Sequence, residues 1–126
     1  GLSEPACGAA KGLLTPADIA AYVEAHRDRL CRAYVASDSA IAFHFMRELT
    51  KRGVRIPDDV QVAAFDDSVL ASVSEPAMTV VKIDVVSLGM AAARMLIQQL
   101  RAGEQRPEHL LLPVSIIERG STKMRE

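Results

Sequence analysis

The sequence predicts an α/β fold in which helices flank a parallel sheet. Three short apolar runs, at 33–36, 60–65 and 79–83, alternate with longer amphipathic segments. Short strands that alternate with helices indicate parallel crossover connections. The chain has 126 residues, of which 49% are hydrophobic and 25% are charged. That length and composition suit one domain with its own buried core.

The first helix is expected to begin at Thr15. Threonine is a good N-cap, Pro16 suits the first helical position, and Asp18 is favourable near the positive end of the helix dipole. Beyond this start, several apolar or partly apolar residues recur at helical spacing. They are Ile19, Tyr22, Val23, His26 and Leu30.

The first strand (33–36) ends at Ser37-Asp38, and a second helix is predicted to follow. Its apolar stripe consists of Ile41, Ala42, Phe45, Met46 and Leu49. Lys51 and Arg52 occupy the last turn, where cations are favourable, and Gly53 is the expected end. A turn at 57–59 then leads into the second strand.

The second half of the chain continues this alternation. A short helical segment is expected at 69–73, a third strand at 79–83, and a long helix capped by Asp84 or Ser87. The apolar face of that helix consists of Leu88, Ala92, Met95, Leu96 and Leu100. The last extended segment, 110–117, contains Pro113, which favours an edge position or a crossing between sheets.

Composition and motifs argue against several classes of function. The formal net charge of −1 gives no general attraction to nucleic acid, and no apolar run is long enough to span a bilayer. The start, GLSEPACGAAKG, lacks the regions of a signal peptide, so no export is expected. Two cysteines and three scattered histidines offer no metal cluster. Nucleophile and phosphate-loop motifs are missing, so neither an enzyme nor a cofactor is expected.

Two polar pairs follow buried strands and precede helical segments. Ser37-Asp38 follows the first strand, and Asp66-Asp67 follows the second. If these strands are neighbours in one parallel sheet, both pairs lie at the same rim, where open α/β sheets bind ligands. Their oxygens suit a polar small molecule, but Asp and Ser are also ordinary helix N-caps. Phe65 either stacks on a ligand or belongs to the core.

A second candidate surface is apolar. Ile41 and Phe45 on the second helix, with Leu70 and Val73 on the short helical segment, are candidates for contact with a partner subunit. The alternative is that these side chains pack internally.

With these elements in order, the chain resembles the carboxyl-terminal half of the effector-binding domain of LacI/GalR-type bacterial transcription regulators. Similarity extends from Arg32 to Thr122. The matching stretches are AYVASDSAIAFHFMREL, KRGVRIPDDVQVAAFDD, EPAMTVVKIDVVSLGMAAARMLIQQL and HLLLPVSIIERGST. Several motifs in family order make the resemblance specific.

The resemblance implies roles for individual residues. Asp66 matches the first Asp of the family's Asp-Asp pair, which typically hydrogen-bonds the effector. Ser37 matches the Asn of the Asn-Asp pair, another common effector contact, although serine is shorter. Phe65 matches the aromatic residue at the pocket rim, and Asp38 matches a position that is more often a structural cap. Ile41, Phe45, Leu70 and Val73 fall in regions that match the family's dimer interface.

The resemblance also implies an architecture of two lobes, as in periplasmic-binding-protein-like folds of type I. Residues 1–84 and 115–126 correspond to a nearly complete carboxyl-terminal lobe, and 85–114 correspond to the return elements of the amino-terminal lobe. The helix at 88–100 would normally cover a sheet of that lobe, so its apolar stripe is expected to be exposed in this chain.

The function implied is that of the effector-binding and dimerisation part of a cytoplasmic transcription regulator. The effector would be a small polar metabolite of the sugar or nucleoside class, and the protein would form a homodimer. Operator DNA would be bound only through a headpiece that this chain does not contain, and no membrane partner is expected. The alternative is a fragment of a periplasmic sugar-binding transport protein.

Overall fold

The computed structural model describes residues 15–103 and 107–123, which form a four-stranded sheet with helices. The strands are β1 (Ala33–Ala36), β2 (Gln61–Phe65), β3 (Thr79–Ile83) and β4 (Val114–Ile117), in the order β1-β2-β3-β4. The pairs β1–β2 and β2–β3 are parallel, whereas β4 is antiparallel to β3. The predicted α/β class is confirmed, and the sheet is mixed because β4 runs back along β3. The position of β4 at the edge agrees with Pro113.

Four α-helices accompany the strands in the described ranges. They are α1 (Pro16–Ala25), α2 (Ser39–Lys51), α3 (Val69–Val73) and α4 (Val85–Ala102). A short 3-10 turn, Arg27–Arg29, follows α1.

The start of α1 is a capping box, as the sequence predicted for Thr15. The Thr15 hydroxyl accepts a hydrogen bond from the Asp18 N–H at 3.2 Å, and the Asp18 carboxylate accepts one from the Thr15 N–H at 3.0 Å. The helix ends earlier than expected, at Ala25, so Leu30 lies beyond it. At this end the His26 ring stacks on Tyr22, and its Nδ1 lies 2.8 Å from the Tyr22 carbonyl oxygen.

The hydrophobic core lies between α1, α2 and one face of the sheet. Along β2, Val62 and Ala64 are buried and alternate with more exposed residues, which is the pattern of a strand covered on one face. Each fully buried aliphatic side chain contributes roughly 1.5–3 kcal/mol. The buried cluster comprises Ile19, Val23, Ala42, Phe45, Met46, Leu49, Val60, Val62, Ala64, Ala71, Met78 and Val80.

Helix α4 takes no part in this core. None of its residues is buried, and Leu88, Leu96 and Leu100 are 49%, 58% and 73% exposed. Asp84 caps the helix by accepting a hydrogen bond from the Ser87 N–H, and Gly103 ends it in the left-handed conformation. The exposure expected for this apolar stripe is therefore observed.

Residues 119–123, here called the C-terminal strap, connect the beginnings of two strands. Ser121 is fully buried; its hydroxyl accepts a hydrogen bond from the Thr79 N–H at 2.8 Å and donates one to the Val62 carbonyl. The Val62 N–H in turn donates to the Ser121 carbonyl at 3.1 Å. The strap thus joins β2 to β3 at the end of the sheet opposite the rim. The sequence did not predict this arrangement.

Candidate functional site

The candidate site lies at the rim where β1 and β2 end. These two strands are parallel neighbours, and Ala36 pairs with Ala64. Ser37 and Asp66 therefore leave the sheet at the same edge, as the sequence predicted. In open α/β sheets this edge is where ligands bind.

Asp66 has an unusual backbone conformation. Its φ is +75°, in the left-handed region, which Asp tolerates better than most non-glycine residues. The Asp66 N–H donates to the Val81 carbonyl at 3.0 Å, which attaches the residue to β3. The side chain is exposed. Because the N-cap of α3 is Ser68, Asp66 does not serve as its cap. Within 15–103 and 107–123, no hydrogen bond or ion pair occupies the Asp66 carboxylate.

The other polar pair divides into a structural residue and an exposed one. Asp38 is the N-cap of α2, and its carboxylate accepts a hydrogen bond from the Ile41 N–H at 2.9 Å. The cap role expected for Asp38 is therefore observed. Ser37 is exposed, and its hydroxyl is 3.4 Å from the Asp38 carboxylate, a long contact that leaves it accessible to a ligand.

Phe65 is the last residue of β2, and its side chain is 41% exposed. It pairs with Val81 of β3 and does not belong to the buried cluster. Phe65 is thus not part of the buried core, and its stacking on a ligand stays a prediction. An aromatic side chain beside a carboxylate can cover the apolar face of a ligand whose hydroxyls contact the carboxylate.

Asp67 is engaged within the chain, unlike Asp66. Its carboxylate forms an ion pair with Arg119 at 2.7 Å, and both side chains are only 20% exposed. Arg119 also donates to the Met78 carbonyl at 3.0 Å. The residues alone placed both aspartates at the rim, and the family resemblance assigned the effector contact to Asp66. The partner of Asp67 is 52 residues away in the sequence, and no local pattern identifies it.

The predicted interface residues differ in how much surface they offer. Val73 is 65% exposed, and Ile41 and Leu70 are half-buried. Phe45 is only 5% exposed and packs against the Tyr34 ring with centroids 4.7 Å apart. Phe45 thus follows the internal-packing alternative and has little surface left for a partner subunit.

A groove of about 440 Å³ lies between α2 and the end of α3, away from the rim. Arg47 borders it, with its guanidinium 5.8 Å from the centre of the Phe43 ring. The groove is lined by Phe43, Met46, Arg47, Thr50, Lys51, Val73, Ser74 and Glu75.

The described part of the chain lacks two features of other classes of site. Among residues 15–103 and 107–123, no three His, Cys, Asp or Glu side chains are grouped as metal ligands would be. In the same part of the chain, no helix has the length and apolar character needed to cross a bilayer.

Comparison with known proteins identifies the family. A family model described as a periplasmic binding protein-like domain matches residues 6–122. The chain belongs to this family. The predicted periplasmic-binding-protein-like fold is thereby confirmed.

Relatives within the periplasmic-binding-protein-like family are transcriptional regulators. The chain is 38% identical over 90 residues to a probable opine utilization operon repressor of Rhizobium rhizogenes, covering 71% of this chain and 46% of that protein. It is similar to a solved complex of the transcriptional regulator CelR with cellobiose, with TM-score 0.74 and 29% identity, covering 86% of this chain and 34% of the other. The chain is also similar to the lac repressor dimer bound to operator and the anti-inducer ONPF, with TM-score 0.73 and 26% identity. This match covers 86% of this chain and 38% of the other.

These similarities confirm the resemblance to LacI/GalR-type regulators. The relatives are regulators and not enzymes. The chain spans less than half the length of these three proteins.

Proposed function

We propose that the chain is the effector-binding and dimerisation part of a LacI-type transcriptional regulator that senses a small polar metabolite. The observation that carries this proposal is Asp66, whose exposed carboxylate has no hydrogen-bond partner among the described residues and lies at the rim where parallel strands end. A carboxylate left unpaired at such a rim suits a ligand that donates hydrogen bonds.

The effector we propose is a sugar, with a nucleoside as the second possibility. The two oxygens of Asp66 can accept hydrogen bonds from neighbouring hydroxyls, and the Ser37 hydroxyl can donate or accept one more. The exposed Phe65 ring supplies an apolar face for a sugar ring or a base. The complex of CelR with cellobiose supports the sugar class.

The proposed architecture has two lobes. Residues 1–84 and 115–126 form the carboxyl-terminal lobe, and 85–114 are return elements of an amino-terminal lobe. Two observations support this division: α4 buries none of its residues against the described sheet, and β4 rejoins that sheet at Val114.

The proposed mechanism is a shift between two arrangements of the lobes. An effector that contacts both lobes stabilises the arrangement it binds better, and its differential affinity sets how far the equilibrium moves. A homodimer would transmit this change, with Ile41, Leu70 and Val73 offering the contact surface. Operator DNA would be bound by a headpiece outside this chain, which places the regulator in the cytoplasm. The lac repressor dimer on its operator supports this arrangement.

A periplasmic sugar-binding transport protein is the second candidate. It is favoured by the description of the matching family as periplasmic binding protein-like. The regulators among the relatives favour the first candidate. The first codons of the complete gene distinguish the two, since a regulator begins with a helix-turn-helix and a transport protein with a signal sequence.

The test of the proposed function is Asp66→Ala in the full-length protein. A thermal-shift screen of sugars and nucleosides on the wild type identifies the effector, and calorimetry then measures its affinity. Loss of hydrogen bonds to a charged group, worth about 1.5–3 kcal/mol each, is expected to lower affinity by at least roughly tenfold. The operator response to effector should disappear, while light scattering still reports a dimer.

Asp28→Ala is the matched control, because Asp28 is also an exposed aspartate but lies in the 3-10 turn after α1. This control is expected to keep wild-type affinity. An Asp66→Ala protein that still responds to effector would contradict the assignment of the pocket.

A further inference from the structure

The two adjacent aspartates at the end of β2 have opposite environments. Asp66 is exposed with a left-handed backbone, whereas Asp67 is held in a mostly buried ion pair with Arg119. We propose that the Arg119–Asp67 ion pair fixes the left-handed backbone of Asp66 and so directs its carboxylate into the rim. Arg119 is then a positioning residue of the site. This inference rests on the effector-binding role proposed for Asp66.

The conformation of Asp66 needs support from its neighbours. For most residues other than glycine, the left-handed region costs roughly 1–2 kcal/mol relative to ordinary backbone conformations, and for Asp the cost is smaller. A residue stays there only when its surroundings hold it. On one side of Asp66, its own N–H is bonded to the Val81 carbonyl. On the other side, the next side chain is tied to Arg119. The backbone between these two attachments has little freedom to relax.

Arg119 is itself held by contacts with β3. Its backbone N–H donates to the Thr79 hydroxyl at 2.9 Å, and one guanidinium nitrogen donates to the Met78 carbonyl at 3.0 Å. The Thr79 hydroxyl is also 2.7 Å from the hydroxyl of Thr122 in the strap. These contacts hold Arg119 in place, and Arg119 in turn holds the Asp67 carboxylate.

The Arg119–Asp67 pair combines low exposure with a long span. Arg52–Glu48 is similarly shielded but only four residues apart, and Lys123–Asp58 is 65 residues apart but 53% and 54% exposed. The Arg55–Asp59 pair has a similar distance of 2.6 Å, but its side chains are 71% and 40% exposed and only four residues apart. Solvent and salt screen such an exposed pair strongly. The Arg119–Asp67 pair is shielded and connects the strap to the site across 52 residues. This combination is what a positioning contact requires.

The test is nuclear magnetic resonance of the 126-residue chain, with Arg119→Gln and Asp67→Asn as the variants. The expected result is loss of the left-handed signature of Asp66 in its N–H to Hα coupling and its backbone shifts. Exchange of the Asp66 amide hydrogen should become about tenfold faster, because its bond to Val81 opens more often. If Arg119 and Asp67 only stabilised the fold, replacing them would accelerate amide exchange throughout the sheet and leave the Asp66 coupling unchanged.

Two further variants complete the design. Arg55→Gln, which breaks the exposed pair, is expected to leave Asp66 unchanged. The double variant Asp67→Arg with Arg119→Asp reverses the charges of the pair. It should restore part of the left-handed coupling and backbone shifts of Asp66. If Arg119→Gln does not fold, Asp67→Asn supplies the same comparison, because it removes the charge on the other side of the ion pair.

The proposal is overturned if, in folded Arg119→Gln or Asp67→Asn, the N–H to Hα coupling of Asp66 still reports a left-handed backbone. The measurement uses no effector, so its outcome is separate from that of the proposed function. If Asp66→Ala retains the effector response, the pocket assignment fails even where the positioning of Asp66 is confirmed.

Discussion

Replacing Ser121 with alanine is expected to lower the free energy of unfolding by about 2–3 kcal/mol. The substitution removes one hydroxyl from a fully buried site and leaves the Thr79 N–H without its acceptor. The Val62 carbonyl loses a donor as well. A buried polar group left without a partner costs about 1–3 kcal/mol. Two groups lose a partner, but the expected total is less than the sum of two full penalties. The Val62 carbonyl has a second lone pair that can still be used, and removal of one oxygen leaves only a small cavity.

Urea unfolding followed by circular dichroism measures this effect. With a slope of about 1–3 kcal/mol per molar urea, the midpoint should fall by roughly 0.7–3 M. Ser72→Ala is the matched control, because Ser72 is exposed and its hydroxyl donates only to a carbonyl within α3. That control should change stability by less than about 0.5 kcal/mol. A loss below about 0.5 kcal/mol for Ser121→Ala as well would refute the reasoning that the strap joins β2 to β3 through this hydroxyl.

Three further predictions concern local features. Asp38→Ala removes the N-cap of α2 and should cost about 1 kcal/mol in urea unfolding, whereas Asp38→Asn should cost only a few tenths. Gly89→Ala should stabilise the chain by about 0.5–1 kcal/mol, because a Cβ at this helical position meets no atom. Gly53→Ala should destabilise it by about 1 kcal/mol, because Gly53 has a φ of +78°. Effects of equal sign would contradict this prediction. The hydrogen bond from Arg55 lowers the pKa of Asp59 to about 2. The stability that this interaction adds is therefore fully present above the ordinary aspartate pKa near 3.9, and it is lost as the pH falls through 2. An NMR titration of Asp59 with and without Arg55→Gln checks this shift.

Local sequence signals predicted most element boundaries. The short helix α3 and the strand β3 lie at the predicted residues because polar or proline residues flank each apolar run. The caps at Thr15 and Asp38 and the end at Gly53 also follow from residue type. Each of these features depends on atoms within a few positions along the chain.

Contacts between distant segments could not be predicted in the same way. The ion pair of Asp67 with Arg119 and the buried position of Ser121 depend on how the strap crosses the sheet. A polar tail that packs internally has the same composition as one exposed to solvent. The role of Phe45 was ambiguous for a related reason, since an apolar stripe on a helix indicates burial but not whether its own sheet or a partner covers it.

The C-terminal strap has a consequence for folding during synthesis. Ser121 joins the beginnings of β2 and β3, so these strands lack one of their connections until residue 121 has left the ribosome. Helices α1 and α2 form from contacts close in sequence and are available earlier. The pairing of β2 with β3 is therefore completed only after residue 121 has become available. Before that point the apolar strands β2 and β3 have less complete pairing, which is the kind of exposed edge that makes folding intermediates prone to aggregation.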